Sequence, residues 1–589
     1  MFLKSPARAA DDRKMTGALA DTVVSWTQVD GVNVAWGHAP GPLHASLMFR
    51  VGKADESLPC NGITHLVEHL TLFPLGQVPH YQNGSVRTTM TSFDTAGEPE
   101  QVVAFLSGVC AGLGRLPTER LEAEIRVVDT EAARRPNSTH TALLTWRFGA
   151  SGPGLWGFDE YATRTVTPES LQLWADQVFT RENAVLVLTG PPPAGLTLPL
   201  ASRGRLQPPP LVTVPPVLPA WFRHGFRDVA ASTVVKRSVG ALAYSYALQH
   251  RLTERLRYDL GLAYSPSVSY DPYDGELAHL VASADAHPDH VTAVAQVLAD
   301  VVHELAVNGP TPAVLQEYIA LSVQHRGVPG YAAGCAAYEA AQLLQSGTYR
   351  STAESTVETD ALTVTQVQEA AVAARATMLL GLPKDADVPE GWTRQAPEWS
   401  VVPPVEGSTL TRELSAEEQP GQLILGPDGL TRDFGDGKIV TTRYAETAAV
   451  LTRPDGQRVL IARDALSIIL EPRLWREGFA AVAQIDAATS HMTVPMPARD
   501  ADAIPSVSRA HSPTDQRQKP KLASPTPAPA PARNPDHHRA IVMIGLGVLL
   551  LGVVFALSSI AGGHFEPSSL FLVTVGAATM GRNNRNSKP

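Results

Sequence analysis

A chain of 589 residues, 44% hydrophobic and 18% charged, has the apolar material for several packed cores and falls outside the disordered class. Its 48 Lys+Arg against 58 Asp+Glu leave a net charge of −10, spread without long runs of one sign, which excludes nucleic acid as the main partner. Three cysteines, Cys60, Cys110 and Cys335, lie too far apart in sequence for a CxxC pair; they suit a reducing compartment and exclude a disulfide scaffold or a thiolate metal site.

Residues 1–21 form an N-terminal tail without an apolar run of signal-peptide length, so export by that route is not expected. Residues 22–191 mix strand-like and helix-like pieces and end in the apolar run Ala184 to Gly190. Residues 192–221 are too rich in proline for helix or central strand and read as a linker. A second mixed region, 222–395, follows. The expected fold class is therefore α+β: two similar domains, each an antiparallel-type sheet flanked by helices, suggesting duplication without a clear sequence repeat.

Between 410 and 480, short strands separated by PDG, GDG and PDG turns predict a small all-β module ending in a helix near Pro472 to Gly478. Its pattern faintly resembles PH-like barrels; a small β domain of another role fits equally. Residues 500–539 are polar and proline-rich, as a tether is. The run 540–563 holds 24 positions without a charge and predicts a transmembrane helix, since about 20 apolar residues span a bilayer core. A second uncharged run, 567–581, has 15 residues and reads as a short span, a re-entrant segment or an interfacial piece. Arg533 and Arg539 before these runs, and Arg582, Arg585 and Lys588 after them, fit a hairpin with both ends in the cytoplasm. The expected location is a membrane anchor with the folded domains facing the cytoplasm.

The informative motif is His65-Leu66-Val67-Glu68-His69. Positions i and i+4 share a helical face, so His65 and His69 can offer imidazole nitrogens to one zinc ion. Glu68 lies beside that face, where a carboxylate can take a proton from activated water. With 18 histidines in the chain, chance produces this spacing about 0.03 times, on the order of composition statistics. Downstream, Glu124 and Glu131 are seven residues apart and so share a face two helical turns apart. One of the two can complete the metal site while the other stands behind it or steadies the water.

HLVEH is an inverted zinc motif, and its surroundings resemble the pitrilysin/insulinase (M16) family of zinc metallopeptidases. FRVGKADE resembles that family's first strand and turn, EAEIRVVDTEA its second zinc helix, and ERLRYDLGLAYSPSV its LRxxxGLAY segment. The resemblance spans about residues 22–395. It implies one zinc per chain on His65, His69 and Glu131, with Glu68 as the base and Glu124 as the accessory glutamate. It also implies that Arg257 and Tyr264 hold substrate and the tetrahedral intermediate. Two departures stand out: the stretch between His69 and Glu131 is short, and TTMTSFDTAG stands where the family shows an Asn-Ala-x-Thr strand, placing Thr88 at the asparagine.

The expected activity is zinc-dependent endopeptidase action on peptides or unfolded polypeptide. The rival is a non-catalytic binding or assembly protein that keeps the fold. Because the family's chamber needs four α+β domains and this chain supplies two, a homodimer is expected, or a heterodimer with a related subunit. The further expected partner is the lipid bilayer, through the C-terminal segment.

Overall fold

The computed structural model describes residues 23–134, 138–413 and 421–505. The N-terminal tail, most of the tether and both C-terminal apolar runs lie outside the described residues.

The first half contains β1 (Ser25–Val29), β2 (Val32–Trp36), β3 (Leu43–Phe49), α1 (Ile63–Leu72), β4 (Tyr81–Val86), β5 (Thr91–Gly97), α2 (Pro99–Gly114), α3 (Leu121–Arg134), α4 (Thr139–Phe148), α5 (Ala162–Thr165), α6 (Pro168–Val178) and β6 (Ala184–Leu188). The second contains β7 (Ala220–His224), β8 (Val229–Lys236), α7 (Val239–Leu252), β9 (Ser267–Pro272), β10 (Leu277–Ala284), α8 (Val291–Asn308), α9 (Pro312–His325), α10 (Tyr331–Ser346), α11 (Thr352–Asp360), α12 (Val364–Ala376) and β11 (Leu379–Pro383). Local chemistry sets several helix starts. Thr167 and Thr363 accept hydrogen bonds from the backbone N–H three residues on, and Ser170 and Gln366 reciprocate.

The first sheet runs β1-β2-β6-β3-β5-β4 and the second β7-β11-β8-β10-β9. Setting β1 aside, both place their first strand beside their last, in parallel, and then the second, fourth and third in antiparallel order. The sheets are thus mixed rather than purely antiparallel. The shared order is the repeat that the residues themselves do not display.

Each sheet buries both faces. In β6, Ala184, Leu186 and Leu188 enter the core of the first half, while Val185 and Val187 face the opposite way against Cys335, Ala336, Ala340 and Leu344 of α10. The second sheet does the converse: its outer face, with Phe222, Ala230, Val281 and Leu379, packs on Leu143 and Trp146 of α4. Each half therefore covers the back of the other's sheet with one of its own helices. Among the described residues, α8 with its leading turn is long and apolar enough to cross a membrane, but Val294, Leu298, Val301 and Val302 bury it in the core of the second half.

The proline-rich segment is not a loose linker. Leu196, Leu198 and Leu200 alternate into the core of the first half, so the segment is part of that domain before it crosses to β7.

The β module comprises β12 (Ser408–Thr409), β13 (Gln422–Leu425), β14 (Gly429–Asp433), β15 (Ile439–Arg443), β16 (Thr447–Thr452), β17 (Arg458–Ala462), β18 (Ser467–Leu470), α13 (Gly478–Thr489) and β19 (Thr493–Pro495). Two four-stranded sheets, β12-β13-β14-β15 and β18-β17-β16-β19, enclose Leu423, Leu430, Val450, Leu460 and Ile468, with Ile485 of α13 among them. The helix lies beyond the expected Pro472–Gly478 position. Pro472–Leu474 makes only a short turn, and Trp475 enters the core before the helix begins.

Leu198→Ala should destabilise the chain by about 2–5 kcal/mol, as for a buried leucine. Val212→Ala in the same segment, 59% exposed, should leave the melting temperature within a degree or two. Thermal melts of the two variants check this.

Candidate metal centre

α1 divides its residues between two environments. Ile63, Leu66, Val67 and Leu70, spaced i, i+3, i+4 and i+7, face the core, which leaves His65, Glu68 and His69 on the opposite face. The start of the helix is fixed by side chains from elsewhere. The Glu56 carboxylate accepts from the backbone N–H of Gly62 (2.6 Å) and Thr64 (3.0 Å). The Asn61 amide donates to the carbonyls of Leu155 (3.2 Å), Phe158 (3.3 Å) and Asp159 (2.8 Å), strapping that turn against the helix entry. Gly62 has φ of +97°, and a Cβ there would lie 2.7 Å from Cβ of Glu160, so only glycine admits both the turn and its neighbour.

His65 Nε2 and His69 Nε2 lie 3.2 Å apart, and Glu131 Oε2 of α3 stands 3.5 Å and 3.8 Å from them. A tetrahedral ion with donors at roughly 2.0–2.1 Å spaces them about 3.3 Å apart, so the three atoms have the separation of ligands on one ion. The opposite ring nitrogens explain the orientation. His65 Nδ1 is 2.8 Å from Glu160 Oε2, and Glu160 in turn meets Lys53 Nζ at 3.2 Å. His69 Nδ1 is 3.4 Å from Glu124 Oε2, which meets Arg120 at 3.4 Å. Carboxylates accept only, so each Nδ1 carries the proton and turns the Nε2 lone pair inward. Two such lone pairs at 3.2 Å with a carboxylate beside them call for a cation.

Glu68 Oε2 lies 3.9 Å from His65 Nε2, beside this triangle. Its side chain fills the space above Gly84 of β4, where a Cβ would come within 2.3 Å of Oε1. Burial raises the Glu68 carboxyl, Glu131 and Glu160 raise it further, and the two imidazoles pull it down. Burial disfavours the charged form of His69, but Glu131, Glu68 and Glu124 outweigh it and bring this imidazole up to about 9. The cluster opens on a cavity of about 2070 Å³ lined by both halves and by β4, the edge strand of the first sheet.

The structure therefore gathers His65, His69, Glu131, Glu68 and Glu124. Arg257 and Tyr264 are elsewhere. Arg257 lies in a π-helical turn, Thr253–Asp259, with its guanidinium 4.8 Å from the Tyr264 ring; Tyr264 is 72% exposed, and neither lines the cavity. Thr88, expected at the family's asparagine, lies in the turn between β4 and β5 and not on the strand that passes Glu68. TTMTSFDTAG forms the turn and β5, one strand further in, while the strand that passes Glu68 carries Asn83 and Gly84. Thr88 instead accepts from the Trp156 indole at 3.2 Å. Sequence reasoning missed Glu160, Glu56 and Lys53. Glu160 lies 95 positions from His65, and no spacing rule links them.

No family model matches the sequence, and no curated protein matches it. Among solved structures, the chain is similar to a protease from Helicobacter pylori, with a TM-score of 0.51 and 15% identity over 61% of this chain and 99% of that one. It is also similar to the periplasmic protease PqqL from Escherichia coli, with a TM-score of 0.50 and 15% identity over 72% of this chain and 56% of that one. Pitrilysin aligns at 0.43 and 14% identity over 64% of this chain and 46% of its own, too low a score to add weight. At these identities the likeness is one of fold: the two α+β halves share the architecture of these two proteases.

If the three donors hold one ion, zinc at 100 times its dissociation constant should stabilise the chain by about 2.7 kcal/mol. A His65→Ala/His69→Ala variant should show no zinc-dependent shift in a thermal melt.

Proposed function

We propose that this chain is a zinc-dependent endopeptidase acting on peptides or unfolded polypeptide segments. The observation that carries the reading is the pair of inward-facing Nε2 atoms with Glu131 Oε2 beside them, bordered by the buried carboxylate of Glu68. His65, His69 and Glu131 would hold the ion. Zinc, when bound, supplies a Lewis acid that makes water a competent nucleophile near neutral pH.

This chain's own groups then divide the work. Glu68 accepts a proton from the attacking water at a carboxylate oxygen and delivers it to the amide nitrogen as the C–N bond breaks, leaving a carboxylic acid and an amine. Its raised carboxyl favours this double role, because a stronger acid holds the proton too weakly to work near neutral pH. Glu124 orients His69 through Nδ1. β4, at the sheet edge, can take an extended peptide as an added strand, a mode driven by backbone hydrogen bonds and tolerant of side chains. A purely binding role would leave the buried base beside the donor triangle without a task.

The reading includes a dimer. Arg257 and Tyr264 lie on an exposed surface outside their own chain's cavity, so they would act on the metal centre of a partner copy, with a related subunit as the other possible partner. It also includes a membrane anchor through the C-terminal apolar runs with the catalytic halves in the cytoplasm, in keeping with three free cysteines.

Glu68→Gln should retain zinc while cleavage of an unfolded peptide falls by about 10²-fold or more. Full turnover by the metal-loaded variant would assign the base to another group. Mixing Glu68→Gln chains with Arg257→Ala/Tyr264→Phe chains should restore part of the activity through mixed dimers; demonstrated mixed dimers without recovery would mean that each chain completes its own site.

A further inference from the structure

The β module is docked on the metal-binding domain by a sheet that is apolar on both sides. In β16 and β17, Val450 and Leu460 point into the module's own core, while Ala449 and Ile461 point out of it. These outward residues, with Val494 of β19, bury against Leu58, Ala150, Leu155 and Tyr161 of the first half. Backbone contact accompanies the apolar patch. Ala150 N–H donates to the carbonyl of Arg463 at 2.9 Å, and a Cβ at Gly149, whose φ is +67°, would lie 2.0 Å from that oxygen.

The docked residues flank the metal centre's support. Leu58 precedes Asn61 and the entry to α1. Leu155 and Tyr161 bracket the turn that Asn61 straps down, and that turn carries Glu160. The Glu160 side chain is 6% exposed and divides its oxygens between His65 Nδ1 and Lys53 Nζ.

We propose that Glu160 is a positioning residue for His65, and that the β module sets it by forming the back wall of its turn. The chain of cause runs from the outward face of β16, β17 and β19, through Leu155 and Tyr161, to Glu160, and from there to the His65 imidazole. A carboxylate behind a coordinating histidine fixes its tautomer and ring plane, and losing one typically costs 10- to 100-fold in metal affinity. Holding that carboxylate on a turn would leave it loose, since a turn has few contacts of its own. The docked sheet supplies them. The inference rests on the zinc reading above.

The test uses the full chain, with zinc affinity measured by chelator competition and the absorption spectrum of the cobalt-loaded protein as a report on ligand geometry. Glu160→Gln keeps the volume and removes the charge. Ile461→Glu puts a charge on the docking face and leaves the module's own core intact. Both variants should bind zinc about 10- to 100-fold more weakly and shift the cobalt spectrum, while the metal-free melt of Glu160→Gln stays near that of the parent. Because both act through one link, the double variant should be no weaker than Glu160→Gln alone. Exposed Ile469→Ala should change nothing. Parent-like affinity and spectrum in Glu160→Gln overturn the positioning role, and in Ile461→Glu they overturn the module's part. Should Glu160→Gln fail to fold, Lys53→Met, which takes away its cation, carries the same expectation and the same refutation. A parent chain that takes up no zinc overturns both the zinc reading and this inference; a zinc-binding parent with unaltered variants overturns this inference alone.

Discussion

A twisted mixed sheet has two faces to remove from water, and in this chain neither half can cover its own sheet alone. The first half packs α1, α2 and α6 on one face and depends on α10 of the second half for the other; the second half depends in the same way on α4 of the first. This exchange commits the two halves to each other. The cavity lies between the halves, lined by β4 of the first and by Ala230 and Val281 on the outer face of the second sheet, with the metal-site face of α1 turned toward it. The placement of His65 and His69 follows from where Leu66, Val67 and Leu70 must be buried.

The same constraint decides what the sequence disclosed. The apolar run Ala184 to Gly190 stood out in the sequence because a strand covered on both faces reads as continuous apolar residues. The histidine pair and the glutamates of α3 were legible because helical periodicity places them on one face without any tertiary information. Glu160 was not, since its meeting with His65 depends on Asn61 gathering a turn nearly a hundred positions away. The proline-rich stretch was misread for a related reason: composition marks it as irregular, and only the alternation of Leu196, Leu198 and Leu200 marks it as buried. In the β module, Ala448 to Leu451 and Val459 to Ala462 are continuous apolar runs rather than alternating ones, and that was the available sign that its sheet has a second covered face.

The equal strand orders of the halves make their differences informative. α7 stands in the second repeat where α1 stands in the first, following the second strand and preceding the third. Its residues Ala243, Tyr244, Ala247 and Leu248 are buried, and no His–Glu–His set accompanies them. The second repeat thus has the same strand order without that donor set on α7. What it contributes instead is the helix that closes the back of the first sheet and a wall of the cavity. Among the described residues, the His–Glu–His set stands on α1.

The electrostatics of the site point the same way. Glu68, Glu131 and Glu160 lie close enough that the latter two each disfavour the charged form of the first, and burial adds to the effect. Lys53 is committed to Glu160, and Arg120 to Glu124. Burial opposes the charged form of His69, but Glu131, Glu68 and Glu124 together favour it. A dication between the two imidazoles would place two positive charges where these carboxylate fields converge. Without Glu160 and Glu124 the imidazoles would lose the partners at Nδ1 that orient them.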